Sequence, residues 1–292
     1  LTQMITKEKQ TARINQLIAS DNEAKDILDV KSQYYLHYAA NHIREFYVRY
    51  ADENGLSFLQ SQQRINSWDL YQWKKAVNEV YNKHWSKEAN DRLKIAGFIA
   101  SRNKGYMMFA IAWLGIIALT EKQIPLISEK IVKDTSDEYS RLGSIFSNNV
   151  KKSSIKYTDE SWKQRLWLDS DELGSKMQTV INSRLKRGIT PESLGEILRE
   201  TKAYNRKNIE SIFNSAGYNA ERILKTESAR SIDYVADSFY RRNGVKMVEW
   251  VTEAGACKRC VELEEAGPYK IEEAPTIPDN SHPSCRCSKI PV

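Results

Sequence analysis

The stretch NRKNIESIFNSAGYNAERILKTESARSIDYVADSFYRRNGVKMVEWV, residues 205–251, decides the fold. Ile209, Ile212, Phe213, Ala216, Ala220, Ile223 and Leu224 recur every three or four residues, which places them on one face of a long helix running from Asn205 to Arg242. Asn243 and Gly244 then read as a turn or cap. Beyond them Val245, Met247, Glu249 and Val251 alternate with Lys246, Val248 and Trp250, the period-two signature of a strand. From Thr252 onward Gly, Pro and acidic residues dominate, so only a small, loop-rich unit fits after the strand.

Four residues past Ile223 the apolar stripe lands on Glu227, and Arg230 follows at i+3. A charge on an interior face is costly unless paired, and this spacing lets the two satisfy each other. The pair is read as a structural clamp on the small unit that follows, in preference to a catalytic site.

Upstream, helices follow one another with short polar joints. Tyr38, His42, Phe46 and Tyr50, flanked by Ile43 and Tyr47, make one aromatic helical face with His42 as a packed core histidine. Asp52 to Gly55 is a turn, and a second helix starts near Ser67 with Trp73, Val77, Val80, Tyr81 and Trp85 on one side. Tyr106 to Leu119 carries no charge, but a span needs about 20 residues, so this segment reads as a buried core helix. Residues 147–154, SNNVKKSS, have no apolar period and suggest a hinge. Thr158 or Asp159 caps a helix holding Trp162, Leu166 and Trp167; another runs through Met177, Val180, Ile181 and Leu185 to Gly188; Thr190, Pro191 and Glu192 open a third.

The expected fold is mainly α: an elongated multi-helix N-terminal region, then a small α+β C-terminal domain built on a long helix, a short sheet and a Cys/His-rich loop unit. The boundaries expected are a helical domain over 1–146, a linker over 147–157, and a C-terminal domain over 158–292, with helices to 242 and the strand and loop unit over 245–292. Composition agrees. With 41% hydrophobic and 28% charged residues, and only 12 Gly and 7 Pro among 292, the chain is neither disordered, collagen-like nor a multi-span membrane protein. The net charge of +6 sits in residues 141–250, which hold 20 basic and 14 acidic residues. Lys151, Lys152, Lys156, Lys163, Arg165, Arg184, Lys186 and Arg187 could hold phosphates without reading bases, although such a charge is also ordinary for soluble helices.

All four cysteines, Cys257, Cys260, Cys285 and Cys287, fall in the last 36 residues, with His282 three before Cys285. A disulfide-built protein would seldom leave 256 residues without one, and no charged n-region with an apolar h-region opens the sequence, so a reducing, cytosolic setting is expected. A C-x-x-C turn presents two thiolates on one side of a knuckle; a C-x-C pair and an imidazole complete the soft ligands that tetrahedral zinc prefers. Five candidates for four positions leave one spare, either His282 or one of the two late cysteines. Free thiols or two disulfides are the alternatives. A catalytic zinc is disfavoured, because neither H-E-x-x-H nor H-x-E with P-C-x-x-C occurs.

In the order ESWKQRLW (160–167), RLKRGITPESLGEIL (184–198), KTESARSIDYVADSFYRRNGVKMVEWVT (225–252), CKRC (257–260) and HPSCRC (282–287), with FYVRYADENGLS (46–57) upstream, the chain resembles the bacteriophage minor head, or head morphogenesis, proteins with a Mu F-like C-terminal domain. The matching positions are Thr226, Glu227, Arg230, Trp250, Cys257, Cys260, His282, Pro283, Cys285, Arg286 and Cys287. Lys225 stands where an Arg is usual, and Gly255 and Ala256 replace the acid often found before the first cysteine. The resemblance implies a non-catalytic protein inside the phage head, touching the portal and other head proteins (capsid and scaffold). It would aid head assembly, packaging and DNA ejection, in the host cytoplasm during assembly and then in the virion, with no membrane partner during assembly. Two other readings stay open: an enzyme, toxin-like or a zinc hydrolase, using Glu227 as acid or base, and a zinc-stabilised regulator that binds nucleic acid.

Overall fold

The computed structural model describes residues 5–146, 157–198 and 208–292. Among them the protein is mostly helical: α1 (Lys7–Tyr50), α2 (Phe58–Gln62), α3 (Ser67–Val80), α4 (Lys87–Ala100), α5 (Lys104–Phe146), α6 (Ser161–Leu185), α7 (Pro191–Leu198), α8 (Ile209–Arg242) and α9 (Lys258–Glu265). Three short strands, β1 (Met247–Val251), β2 (Tyr269–Lys270) and β3 (Ser288–Pro291), form an antiparallel sheet in the order β2-β1-β3. The mainly α fold with a small C-terminal sheet and a Cys-rich loop region is as the sequence predicts.

The starts read near Ser67 and at Thr190 and the stop read at Gly188 hold, and the structure adds a cap to α3 that the sequence reading did not name. Asn66 caps α3, accepting from the N–H groups of Trp68 and Asp69, while Asp69 returns a carboxylate to the Asn66 N–H. Thr190 Oγ1 accepts the Ser193 N–H at the start of α7, just before Pro191. Gly188, at φ +79°, ends the preceding segment. The two helices expected between Thr158 and Gly188 are one, α6: no breaker stands between Trp167 and Met177, and Gly174 is absorbed because it packs on Trp113. Trp85 lies beyond α3, which ends at Val80; Asn82 draws the His84 N–H into a local turn that competes with the helix.

The chain forms two compact units, and neither follows the expected domain boundaries. Among the described residues one comprises 5–26, 125–146, 157–162 and 220–292; the other, 27–124, 163–198 and 208–219. Helices as long as α1, α5 and α8 pass from one unit into the other, so a linear cut at the hinge does not separate them. The hinge residues 147–154 lie outside the described residues, as do Lys151, Lys152 and Lys156.

In the second unit the uncharged stretch of α5 is the core. Met107 to Leu114 and Ile116 to Leu119 are buried, together with Tyr35, Tyr38 and Phe46 of α1, Met177 and Ile181 of α6, and Phe213 of α8. Gly115 lets the helices close up, since a Cβ there would lie 3.1 Å from Tyr38 and 3.2 Å from Phe213. One window of α5 is apolar enough to cross a membrane by length and composition, and 72% of it is buried inside the protein. His42 is a buried residue, and its Nε2 is 3.1 Å from Glu79.

The first unit is built on α8. Val235, Phe239 and Tyr240 pack with Ile14, Leu142, Val248, Ile271 and Ile290, and the Tyr240 hydroxyl donates to the Lys289 carbonyl at 3.0 Å. Strand β1 turns Val248 and Trp250 inward, Val251 is buried as well, and Trp250 is fully buried beside Ala229, Ile277 and three cysteines.

Candidate metal centre

Cys257 immediately precedes α9 and Cys260 lies in its first turn, with the Cys260 N–H bonded to the Cys257 carbonyl at 3.0 Å. Cys257 is exposed and Cys260 buried. His282, Cys285 and Cys287 come from the loop that leads into β3, whose end is fixed by Ser288 pairing with Val251. Within this loop Ser284 takes φ +66°, and its N–H donates to Thr226 Oγ1 on α8 at 3.0 Å. The Cys285 N–H donates back to the His282 carbonyl at 3.2 Å, which folds the imidazole and the thiol onto one side.

Three overlapping sets of ligand atoms lie within 4.8 Å of one another: Cys257, Cys260 and His282; Cys260, Cys285 and Cys287; and Glu253, His282 and Cys285. Cys260 Sγ is 3.8 Å from Cys285 Sγ. The four cysteines and His282 therefore cluster compatibly with a metal site, as their spacing predicts. Sequence reasoning missed Glu253, whose Oε1 also accepts the Arg286 N–H at 3.1 Å.

His282 Nδ1 is 2.9 Å from the Pro283 carbonyl, which can only accept, so the neutral ring carries its proton on Nδ1. Its Nε2 is buried with no hydrogen-bond partner. A lone pair left bare beside thiols, with the ring oriented by a backbone carbonyl, is the arrangement of a ligating histidine.

The thiols differ in acidity. A hydrogen bond from the Cys287 thiol, outweighing burial and helped by Ser281, holds Cys285 down to about 6. The Cys260 N–H lowers Cys257. Burial pushes Cys260 up to about 12, and Cys287 is raised because its proton is committed to Cys285. Burial opposes charge on His282, but the Pro283 carbonyl and nearby thiols outweigh it and raise the ring. A cluster of unequal thiols around a bare imidazole nitrogen is suited to hold a soft cation, which favours thiolate over thiol.

Of the four residues read as a clamp, Thr226 holds the loop at Ser284 and Trp250 packs beside Cys260, Cys285 and Cys287. Arg230 lies 3.4 Å from buried Glu227, as expected, but its shorter contacts, 2.7 Å each, go to Asp279, which the periodicity did not single out. The Tyr157 hydroxyl donates to Glu227 at 2.9 Å. Between the two late cysteines, Arg286 leaves the loop for a buried ionic network. Its Nε and Nη2 donate to Asp21 at 2.7 and 2.5 Å, and Nη2 also donates to Ser228 at 3.0 Å. Lys130 is 3.2 Å from Asp21 and pairs closely with Asp134, which also accepts from Ser228.

Among the described residues the phosphate-contact candidates fall into two separate groups. Lys163 and Arg165 sit in the first turns of α6; Arg184 is in its last turn, paired with Glu196 at 3.0 Å, and exposed Lys186 and Arg187 follow it. At 1.5 Å per residue the two groups are about 30 Å apart along the helix.

Comparison with protein-family models, curated proteins and solved structures finds no match for this chain.

Proposed function

We propose that the chain is a zinc-stapled, non-catalytic structural protein of a tailed-phage head, a minor capsid protein that works beside the portal. One observation supports the reading most. The C-x-x-C and H-P-x-C-x-C segments, the specific part of the family resemblance, converge on a single cluster that is fastened to the helices by Thr226, Arg230 and Arg286.

Zinc is the ion this donor set suits, and Cys257, Cys260, His282 and Cys285 are its ligands. Five of the six pairs in that set lie within 4.8 Å, whereas Cys287 is grouped only with Cys260 and Cys285. A tetrahedron with Zn–S bonds of about 2.3 Å has edges of about 3.8 Å. The Cys260–Cys285 separation of 3.8 Å matches it. Cys287 then serves as an outer hydrogen-bond partner of Cys285. When bound, the ion supplies cross-linking of loop to helix and no chemistry beyond it, since three thiolates and an imidazole close the coordination sphere.

In this role the protein acts in the host cytoplasm during assembly and inside the head afterwards, contacting portal, capsid and scaffold proteins. The basic groups at the two ends of α6 hold DNA phosphates without sequence preference. Mass spectrometry of purified heads tests the location, which fails if the chain is found only in the unassembled fraction. Binding to random DNA should weaken steeply with rising salt, and salt-independent binding refutes the phosphate contact.

A further inference from the structure

We infer that Cys257 is a thiol–disulfide exchange site: a low-molecular-weight disulfide such as glutathione disulfide oxidises Cys257 and Cys260 to an intramolecular disulfide and so empties the metal centre. The inference rests on the metal reading above for its consequence, but not for its chemistry.

Exchange begins with attack by an accessible sulfur, and Cys257 is the exposed one of the four, whereas Cys260, Cys285 and Cys287 are buried. It stands at the head of α9 between Ala256 and the basic Lys258 and Arg259, which favours the approach of an anionic disulfide. The second step needs another thiol within reach of the modified sulfur. Cys257 is grouped with Cys260 and His282, and not with Cys285 or Cys287, so Cys260 is the resolving thiol.

The steps balance. Cys257 thiolate attacks one sulfur of glutathione disulfide, the S–S bond breaks, and one glutathione thiolate leaves. Cys260 then attacks the Cys257 sulfur of the mixed disulfide, its thiol proton passing to the glutathione thiolate released in the first step, and expels the second glutathione. Two protein thiols are oxidised, one disulfide is reduced to two glutathione thiols, and the zinc ion loses two of four ligands. The centre is thereby filled in a reducing compartment and emptied in an oxidising one.

The test uses the full chain, loaded with zinc and, in parallel, metal-free. Each is treated with glutathione disulfide, released zinc is read with a chromogenic chelator, and disulfides are mapped by alkylation and peptide mass spectrometry. The expected result is one zinc released per chain as a Cys257–Cys260 disulfide appears, with Cys257→Ser slowing oxidation at least tenfold. In the metal-free chain Cys257 should be the first thiol glutathionylated. A Cys260–Cys285 disulfide as first product, or unchanged oxidation in Cys257→Ser, overturns the inference. A chain that binds no zinc yet forms the Cys257–Cys260 disulfide overturns the metal reading and leaves the exchange site standing.

Discussion

Replacing Arg286 with methionine keeps much of the side-chain volume and deletes the charge that joins the cysteine loop to α1. In the native protein Arg286 and Asp21 are 3% and 2% exposed, joined by two hydrogen bonds of 2.7 and 2.5 Å. Breaking a buried ion pair by removing one partner costs about 3–5 kcal/mol, chiefly because the other charge is stranded. Asp21 retains Lys130 at 3.2 Å, so the lower end, about 3 kcal/mol, is expected. Asp21→Leu should cost a similar amount, because Arg286 is then left with Ser228 and with Asp134 at 3.9 Å. In the double variant no member of this pair is stranded, and its loss should fall short of the summed single losses by about 2 kcal/mol. Native-state hydrogen exchange on the α8 amides around Val235 and Phe239 reads the opening free energy of this unit. A loss of 3 kcal/mol accelerates that exchange roughly a hundredfold. Strict additivity, or single variants that exchange like the wild type, would refute the argument that Arg286 acts by compensating Asp21.

Burial pushes the Asp233 carboxyl up to about 6, with Lys289 pulling it the other way and Asp237 adding to the rise. The unfolded chain releases this proton near pH 4, so the stability it contributes is full below that value and is lost as pH climbs through 6. A carboxyl NMR titration should show the midpoint near 6 and a higher one in Lys289→Met; a midpoint near 4 contradicts the burial argument. Chelation of zinc should speed amide exchange across residues 253–287 while leaving the Met107–Leu119 core of α5 protected, and uniform loss of protection would argue against a local staple. Gly55→Ala should destabilise the protein by about 1–3 kcal/mol, read as a drop in denaturation midpoint, because a Cβ there lies 2.3 Å from the Ile189 carbonyl oxygen at φ +98°.

The long helices and strand β1 were legible because their signals are local, whereas α9, β2 and β3 fall in the stretch read only as a loop-rich unit. An apolar stripe, a proline after Thr190 and the alternation around Val248 each mark an element locally, and the Asn66 and Asp69 capping pair emerged only from the structure. The division into units was not legible, since α1, α5 and α8 carry an unbroken helical pattern across it. The clustering of the four cysteines and His282 could be anticipated from residue type and spacing alone. Their partners could not: Asp21, Lys130 and Asp134 look like solvent-facing charges on amphipathic helices, and only long-range packing joins Asp21 to Arg286, 265 residues away. Glu253 and Asp279 are acids in an acidic loop, where no period distinguishes a partnered carboxylate from a solvated one.

X-ray absorption at the zinc edge of the metal-loaded full chain tests the central claim most directly. The expected result is one tightly held ion with three sulfurs at about 2.3 Å and one nitrogen at about 2.0 Å. A four-sulfur shell would return Cys287 to the ligand set in place of His282, and an oxygen-dominated shell or the absence of bound zinc would contradict the metal centre itself.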